Sequence, residues 1–151
     1  MIRALAAAGA LALVAAPAAA GLRLVVLDGG AEAAAADLPP DGRWCLVWNH
    51  SVTGEEVRDC YRAEGLTLVL ERSRRPDLAA ARLGHAPARG TPRAEGDATW
   101  IEGIDAPLPA GLPLRVGSDR VRHRLAIGAA ETALPAALAG RPVVIRLERG
   151  D

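Results

Sequence analysis

The stretch from Arg43 to Arg62, Arg-Trp-Cys-Leu-Val-Trp-Asn-His-Ser-Val-Thr-Gly-Glu-Glu-Val-Arg-Asp-Cys-Tyr-Arg, constrains the fold more than any other. A run of tryptophan, β-branched and leucine residues breaks at Thr53-Gly54 and resumes with Val57, Cys60 and Tyr61, the pattern of a β-hairpin. A period of two places Trp44, Leu46, Trp48 and His50 on one face of the first arm and Cys45, Val47, Asn49 and Ser51 on the other. His50 and Ser51 therefore point apart, so a nucleophilic Ser51 would need its base from another segment.

Two registers are open. A four-residue loop, Ser51 to Gly54, sets His50 opposite Glu55 and Cys45 opposite Cys60, close enough for a disulfide if the pair is non-hydrogen-bonded. A two-residue turn at Thr53-Gly54 instead sets Val47 opposite Cys60. The bridged register is the expectation, because the N-terminus points to an oxidising compartment. Arg3 precedes an unbroken small and apolar run, Ala4 to Ala16, and Pro17-Ala-Ala-Ala20 ends in an Ala-x-Ala pattern before Gly21. That is the layout of a secretory signal peptide over residues 1–20 with cleavage after Ala20, the alternative being an uncleaved anchor. No cysteine follows the small residues, which argues against a lipid anchor.

The remainder, 21–151, is about 131 residues, enough for one core and not two. Over the whole chain eighteen acidic and eighteen basic side chains balance, and only Arg3 goes with the leader, which gives no electrostatic reason to expect nucleic acid. Every basic residue is arginine, so Schiff-base chemistry and a P-loop lysine are excluded.

Leu22–Leu27 reads as a first strand ending at Asp28-Gly-Gly, Ala31–Asp37 as a connection, and Pro39-Pro40-Asp41-Gly42 as a turn. Past a turn at Ala63–Gly65, Leu66–Arg72 is the clearest strand. Arg72, Arg74 and Arg75 then form either an anion-binding patch or a solvated strand end. Asp77–Leu83 has the composition of one or two helical turns, and Gly84 to Pro92, carrying His85 and Arg89, that of a shaped Gly/Pro loop. Thr99–Ile104 returns to strand pattern, and Pro107 to Pro113 is a stiff connection. Leu114–Val116 and Val121–Ile127 read as a second hairpin with His123 in an apolar series, the setting of a core histidine. Glu131–Leu138 is a short helix candidate and Pro142–Glu148 a final strand with Val143, Ile145 and Leu147 inward. Some seven short strands with little helix predict an all-β fold, a small antiparallel sandwich or barrel.

The order of motifs resembles a bacterial secreted family, domain of unknown function 1850. The matching pieces are Leu46-Val-Trp-Asn-His50-Ser51-Val52, Asp59 ahead of the aromatic Tyr61, Leu83-Gly84-His85 with Gly90, Leu114-Arg-Val-Gly117, and His123-Arg-Leu125. Many members carry a Gly-Ala-Gly-x-Pro loop where this chain has Arg82-Leu-Gly84-His85-Ala-Pro87. The resemblance implies proximity to tripartite TRAP transporters of the TAXI type, which take up carboxylates, and brings no reaction with it.

Four functional readings follow. A periplasmic accessory or ligand-binding module would use a polar cluster of His50, Ser51, Asp59, His85 and Arg89, its partners transport components or a small carboxylate. A serine hydrolase would pair Ser51 with His85 or His123, although no Gly-x-Ser-x-Gly elbow is present. A zinc site from His50, His85 and His123, with Asp59 as a further ligand, lacks any closely spaced histidine pair, so no metal or other cofactor is expected. Alternatively, His50, Ser51 and Asp59 merely tie hairpin backbone together.

Overall fold

The central hairpin forms with the four-residue loop. In the computed structural model, which describes residues 21–76 and 89–150, β3 (Trp44–Asn49) pairs with β4 (Glu56–Glu64) so that Cys45 opposes Cys60 and Leu46 opposes Asp59. The two sulfurs are bonded at 2.10 Å. His50 N–H donates to the Glu55 carbonyl (2.7 Å) and Gly54 N–H to the His50 carbonyl (2.8 Å), closing the loop. The proposed leader (1–20), the helical turns at Asp77–Leu83 and the loop around His85 lie outside the described residues.

The other strands are β1 (Leu22–Asp28), β2 (Ala31–Asp37), β5 (Thr67–Arg75), β6 (Thr91–Glu95), β7 (Ala98–Glu102), β8 (Ala106–Leu108), β9 (Leu112–Arg115), β10 (Arg124–Ile127), β11 (Ala130–Ala133) and β12 (Pro142–Arg149). They form two antiparallel sheets. The smaller has the order β2-β1-β12-β9; the larger has the order β11-β10-β3-β4-β5-β7-β6, with β8 also pairing β5. The architecture is a sandwich and not a closed barrel, with twelve strands among the described residues where about seven were expected. Neither an α-helix nor any helix long and apolar enough to cross a membrane occurs among them.

The inward faces make one core. Leu24 and Val26 of β1 and Val143, Ile145 and Leu147 of β12 pack against Trp44, Leu46, Tyr61, Leu68 and Leu125 of the larger sheet. Burying each aliphatic side chain contributes about 1.5–3 kcal/mol. Trp44 stacks on Tyr61 with ring centroids 4.8 Å apart, while its buried Nε1–H has no hydrogen-bond partner among the described residues, a cost of about 1–3 kcal/mol.

Several sequence expectations are corrected. Ala31–Asp37 is not a connection but the edge strand β2, because pairing along β1 overrides weak alanine propensity. Thr91 and Pro92, expected at the end of a loop, instead open β6, which pairs with β7. The supposed second hairpin does not exist: Leu112–Arg115 crosses to the smaller sheet and pairs with β12, and Arg124–Ile127 pairs with β3 and β11. Glu131–Leu138 divides between β11 and a single 3-10 turn, Ala136–Leu138, with Pro135 between them. The stretch Pro107–Pro113 holds most of β8 and the start of β9, and β4 runs to Glu64, two residues into the expected turn.

One irregularity positions the buried polar residues of the larger sheet. The β4–β5 register shifts between Cys60 and Tyr61, so that Tyr61 opposes Leu70, Cys60 opposes Arg72, and Glu71 is the extra residue. A bulge of this kind flips alternation. Leu68 and Leu70 face inward before it, and Ser73 and Arg75 after it. The neighbouring strand breaks at the same level: β7 pairs with residues 73–75 and β8 with 68–70, while Ile104 N–H in the gap donates to the Glu71 carbonyl (3.1 Å). Glu71 is gripped from outside by the forked Arg43 guanidinium (3.1 and 3.2 Å), which holds its carboxyl below the usual glutamate range.

Candidate functional site

Beyond the bulge, the inward face of the larger sheet turns polar. Asp59, opposite Ser73, accepts a hydrogen bond from the Ser73 hydroxyl (2.5 Å) and pairs with Arg75 (3.2 Å); the ion-paired side chains are only 14% and 12% exposed. Burial pushes the Asp59 carboxyl above the ordinary aspartate range, and the Arg75 charge and Ser73 hydroxyl pull back without restoring it. The Arg75 guanidinium also lies 5.5 Å from the centroid of Trp48, within cation–π range. Trp48 in turn stands 6.0 Å from the ring of His123. Acid, base, indole and imidazole thus form one continuous line across three strands and the start of a fourth.

His123 closes that line and also a loop. Gly117 N–H donates to His123 Nδ1 (2.9 Å), so the neutral imidazole carries its proton on Nε2. Burial, and secondarily the Arg124 charge, lowers its basicity below that of an ordinary histidine. The six-residue separation is tight enough that a Cβ at position 117 would meet the Val121 side chain at 2.5 Å, which requires glycine. Between them, Ser118, Asp119, Arg122 and His123 help line a cavity of about 230 Å³ roofed by Leu134 and Pro135.

This loop is tied to the hairpin turn. Asn49 N–H donates to the Val121 carbonyl (2.7 Å), Asn49 Nδ2 to the Arg120 carbonyl (3.4 Å) and Arg120 Nη2 to the Val52 carbonyl (3.3 Å). Val52 itself is 74% exposed at the tip.

The sequence-predicted residues separate. His50 serves its own turn, its Nδ1 accepting from Thr53 N–H (3.3 Å). Ser51 is exposed on that turn, and no histidine hydrogen-bonds to it among the described residues. Asp59 pairs opposite Leu46, four residues before His50 on the same arm, which puts the two about 13 Å apart along the strand. Arg89 is exposed beside Gly90, and His85 lies outside the described residues. No group of three metal-ligating side chains occurs among those described. His123 is the satisfied core histidine its apolar series suggested.

The arginine cluster is not a free anion patch, since each member has a partner, although Arg72 remains solvent-exposed. Arg72 stacks over Trp100 (4.6 Å), Arg74 reaches the Glu56 carbonyl (3.4 Å), and Arg75 pairs with Asp59. Ser73 and Arg75 were missed as partners of Asp59. The signal that could have found them is a bulge, which alternation read straight along β5 does not reveal.

On the opposite, outward face of the same sheet, Arg124 donates to Glu131 (2.6 Å), Glu56 (3.3 Å), Asn49 (3.3 Å) and the Arg122 carbonyl (2.9 Å), and Arg58 bridges the same two glutamates. That network is neutral and internally satisfied. It braces β3, β4, β10 and β11.

These features define a class: a disulfide-clipped antiparallel β-sandwich module whose polar groups are mostly committed to one another. The particular family is also shown, for residues 45–134, more than half of the chain, match the family described as Domain of unknown function (DUF1850), and the chain belongs to it. The match spans β3 to β11, hence every strand of the larger sheet plus β9. No curated protein and no solved structure matches.

Proposed function

We propose that this chain is an extracytoplasmic, non-enzymatic accessory or ligand-binding module that works beside a tripartite carboxylate uptake system of the TAXI type. The observation that carries the reading is the commitment of the polar residues: Asp59 is held by Ser73 and Arg75, His50 by its own turn, and Ser51 lies exposed on that turn with no histidine hydrogen-bonded to it among the described residues. Such an arrangement organises a surface, and among the described residues no acid–base pair stands against a nucleophile. The Cys45–Cys60 bridge supports an oxidising compartment, reached through a leader cut after Ala20. The contact surface is the pinned turn 50–54 together with the 117–123 loop, with Val52 at its tip.

The test is crosslinking in the native host with the chain tagged at its C-terminus. Recovery of the binding protein or membrane subunits of the uptake system, reduced by Val52→Asp, is the expected outcome. Mass analysis of the recovered chain should give Gly21 as its first residue. A chain that captures no transport component, or is found reduced in the cytoplasm, overturns the reading.

A further inference from the structure

The outward face of a sandwich sheet ordinarily alternates to polar residues. At one end of the smaller sheet it does not. With Leu24 and Val26, and Val143 and Ile145, facing the core, alternation turns Leu27 and Val144 outward, and the register places them side by side with Pro113 of β9. An apolar strip therefore lies on the side away from the core. It floors a cleft of about 600 Å³, within the usual range for small-molecule sites.

The walls and charges of this cleft are equally specific. One wall is the β1–β2 turn, and the other is the β8–β9 turn at Ala110-Gly111, which lies so close over β12 that a Cβ at Gly111 would meet the Ile145 carbonyl at 2.7 Å. Arg115 and Arg146 line the cleft, and no acidic side chain does. Arg146 is engaged by Glu148 (2.6 Å). Arg115 has no carboxylate partner among the described residues; its Nη1 donates to the Gly140 carbonyl (2.6 Å), which anchors the guanidinium and leaves the Nε–Nη2 edge for another acceptor. Nearby Asp28 is taken by Arg141 (2.7 Å).

We propose that this cleft binds a small monocarboxylate with an apolar body, the carboxylate forked on Arg115 and the body laid on Leu27, Val144 and Pro113. An arginine edge matches the two oxygens of a carboxylate, and the outward apolar strip has no other role in the core. The inference goes beyond the accessory-module reading and does not depend on it, since the cleft binds or fails to bind whether or not transport proteins touch the chain. Most of the floor and one wall come from β1, β12 and their turns, outside residues 45–134, whereas Arg115, Pro113 and Ala110 lie within them, so the site is built where the two parts of the chain meet in the smaller sheet.

Calorimetric titration of the full chain with phenylacetate, acetate and phenylacetamide tests it. Phenylacetate should bind, and acetate and the amide should bind about tenfold or more weakly, one lacking the body and the other the charge. Arg115→Gln should weaken phenylacetate about tenfold or more, and Ala110→Trp, which fills the cleft from an exposed turn without touching a charge, should abolish it. Arg93→Gln on distant β6 should change nothing. Absence of phenylacetate binding up to about 10 mM, equal binding of acid and amide, or unchanged binding in folded Arg115→Gln or Ala110→Trp overturns the proposal.

Discussion

Asp59 sits on a face otherwise given to Trp44, Leu46 and Tyr61, and its partners do not fully repay its burial. A buried ion pair stabilises only when its geometry outweighs desolvation. Because the folded-state carboxyl keeps its proton to higher pH than the unfolded one, this group's stabilising contribution is complete below about pH 4 and is lost as pH rises through the folded value. Asp59→Asn keeps the shape and the acceptor for Ser73 without the charge. It should be at least as stable as the wild type in denaturant titrations at neutral pH, with the difference closing toward the acid end; marked destabilisation at neutral pH would mean that Arg75 outweighs burial. His123 has the opposite sign. Its folded basicity is depressed below the ordinary value of 6.5, so stability is complete above that pH and is lost as pH falls toward the folded value. His123→Asn retains an acceptor for Gly117 N–H, and its unfolding midpoint should lack the decline that the wild type shows as the pH falls below about 6.5.

Among the elements, the β3–β4 hairpin is the one whose covalent closure can be removed directly. A bridge spanning 15 residues stabilises by about 3 kcal/mol through the unfolded chain, so Cys45→Ala/Cys60→Ala should lose roughly that amount in urea unfolding, and reductant should destabilise the wild type but not the double variant. This hairpin was legible in the sequence because its alternation is regular, its loop holds Thr53-Gly54, and only one register pairs the cysteines. The first and last strands were legible for the same reason, with Val143, Ile145 and Leu147 at clean spacing. What escaped was whatever depends on partners distant in sequence. The alanines of β2 carry no strand preference of their own, and the prolines of β8 and β9 read as linker although both strands sit at sheet borders that tolerate them. Leu112–Arg115 looked like half of a hairpin because nothing local says that its partner is β12. In the candidate site, His50, Ser51 and Asp59 were visible as residue types, but the extra residue Glu71, which turns Ser73 and Arg75 inward, leaves no mark in composition. The Gly117–His123 hydrogen bond was likewise hidden, although both residues stood in the motifs that pointed to the family.

Two sheets of such unequal size behave as one unit only if chain and core tie them together. The chain crosses between them at β2–β3, β8–β9, β9–β10 and β11–β12, so neither sheet is a contiguous segment able to fold alone, and the core joins β1 and β12 to β3, β4, β5 and β10. Ile145 lies at the centre of that seam, 0% exposed and paired on both sides. Its truncation to alanine should cost about 2–5 kcal/mol, set by how far the cavity relaxes. All three tryptophans, Trp44, Trp48 and Trp100, belong to the larger sheet, so their fluorescence reports on it even when the lesion is in the smaller one. If the sandwich unfolds as a single cooperative unit, Ile145→Ala must shift the fluorescence midpoint and the far-ultraviolet circular dichroism midpoint together and by equal amounts. A fluorescence transition left at the wild-type denaturant concentration while the dichroism signal splits would show that the larger sheet, the part that defines the family, stands without its cover.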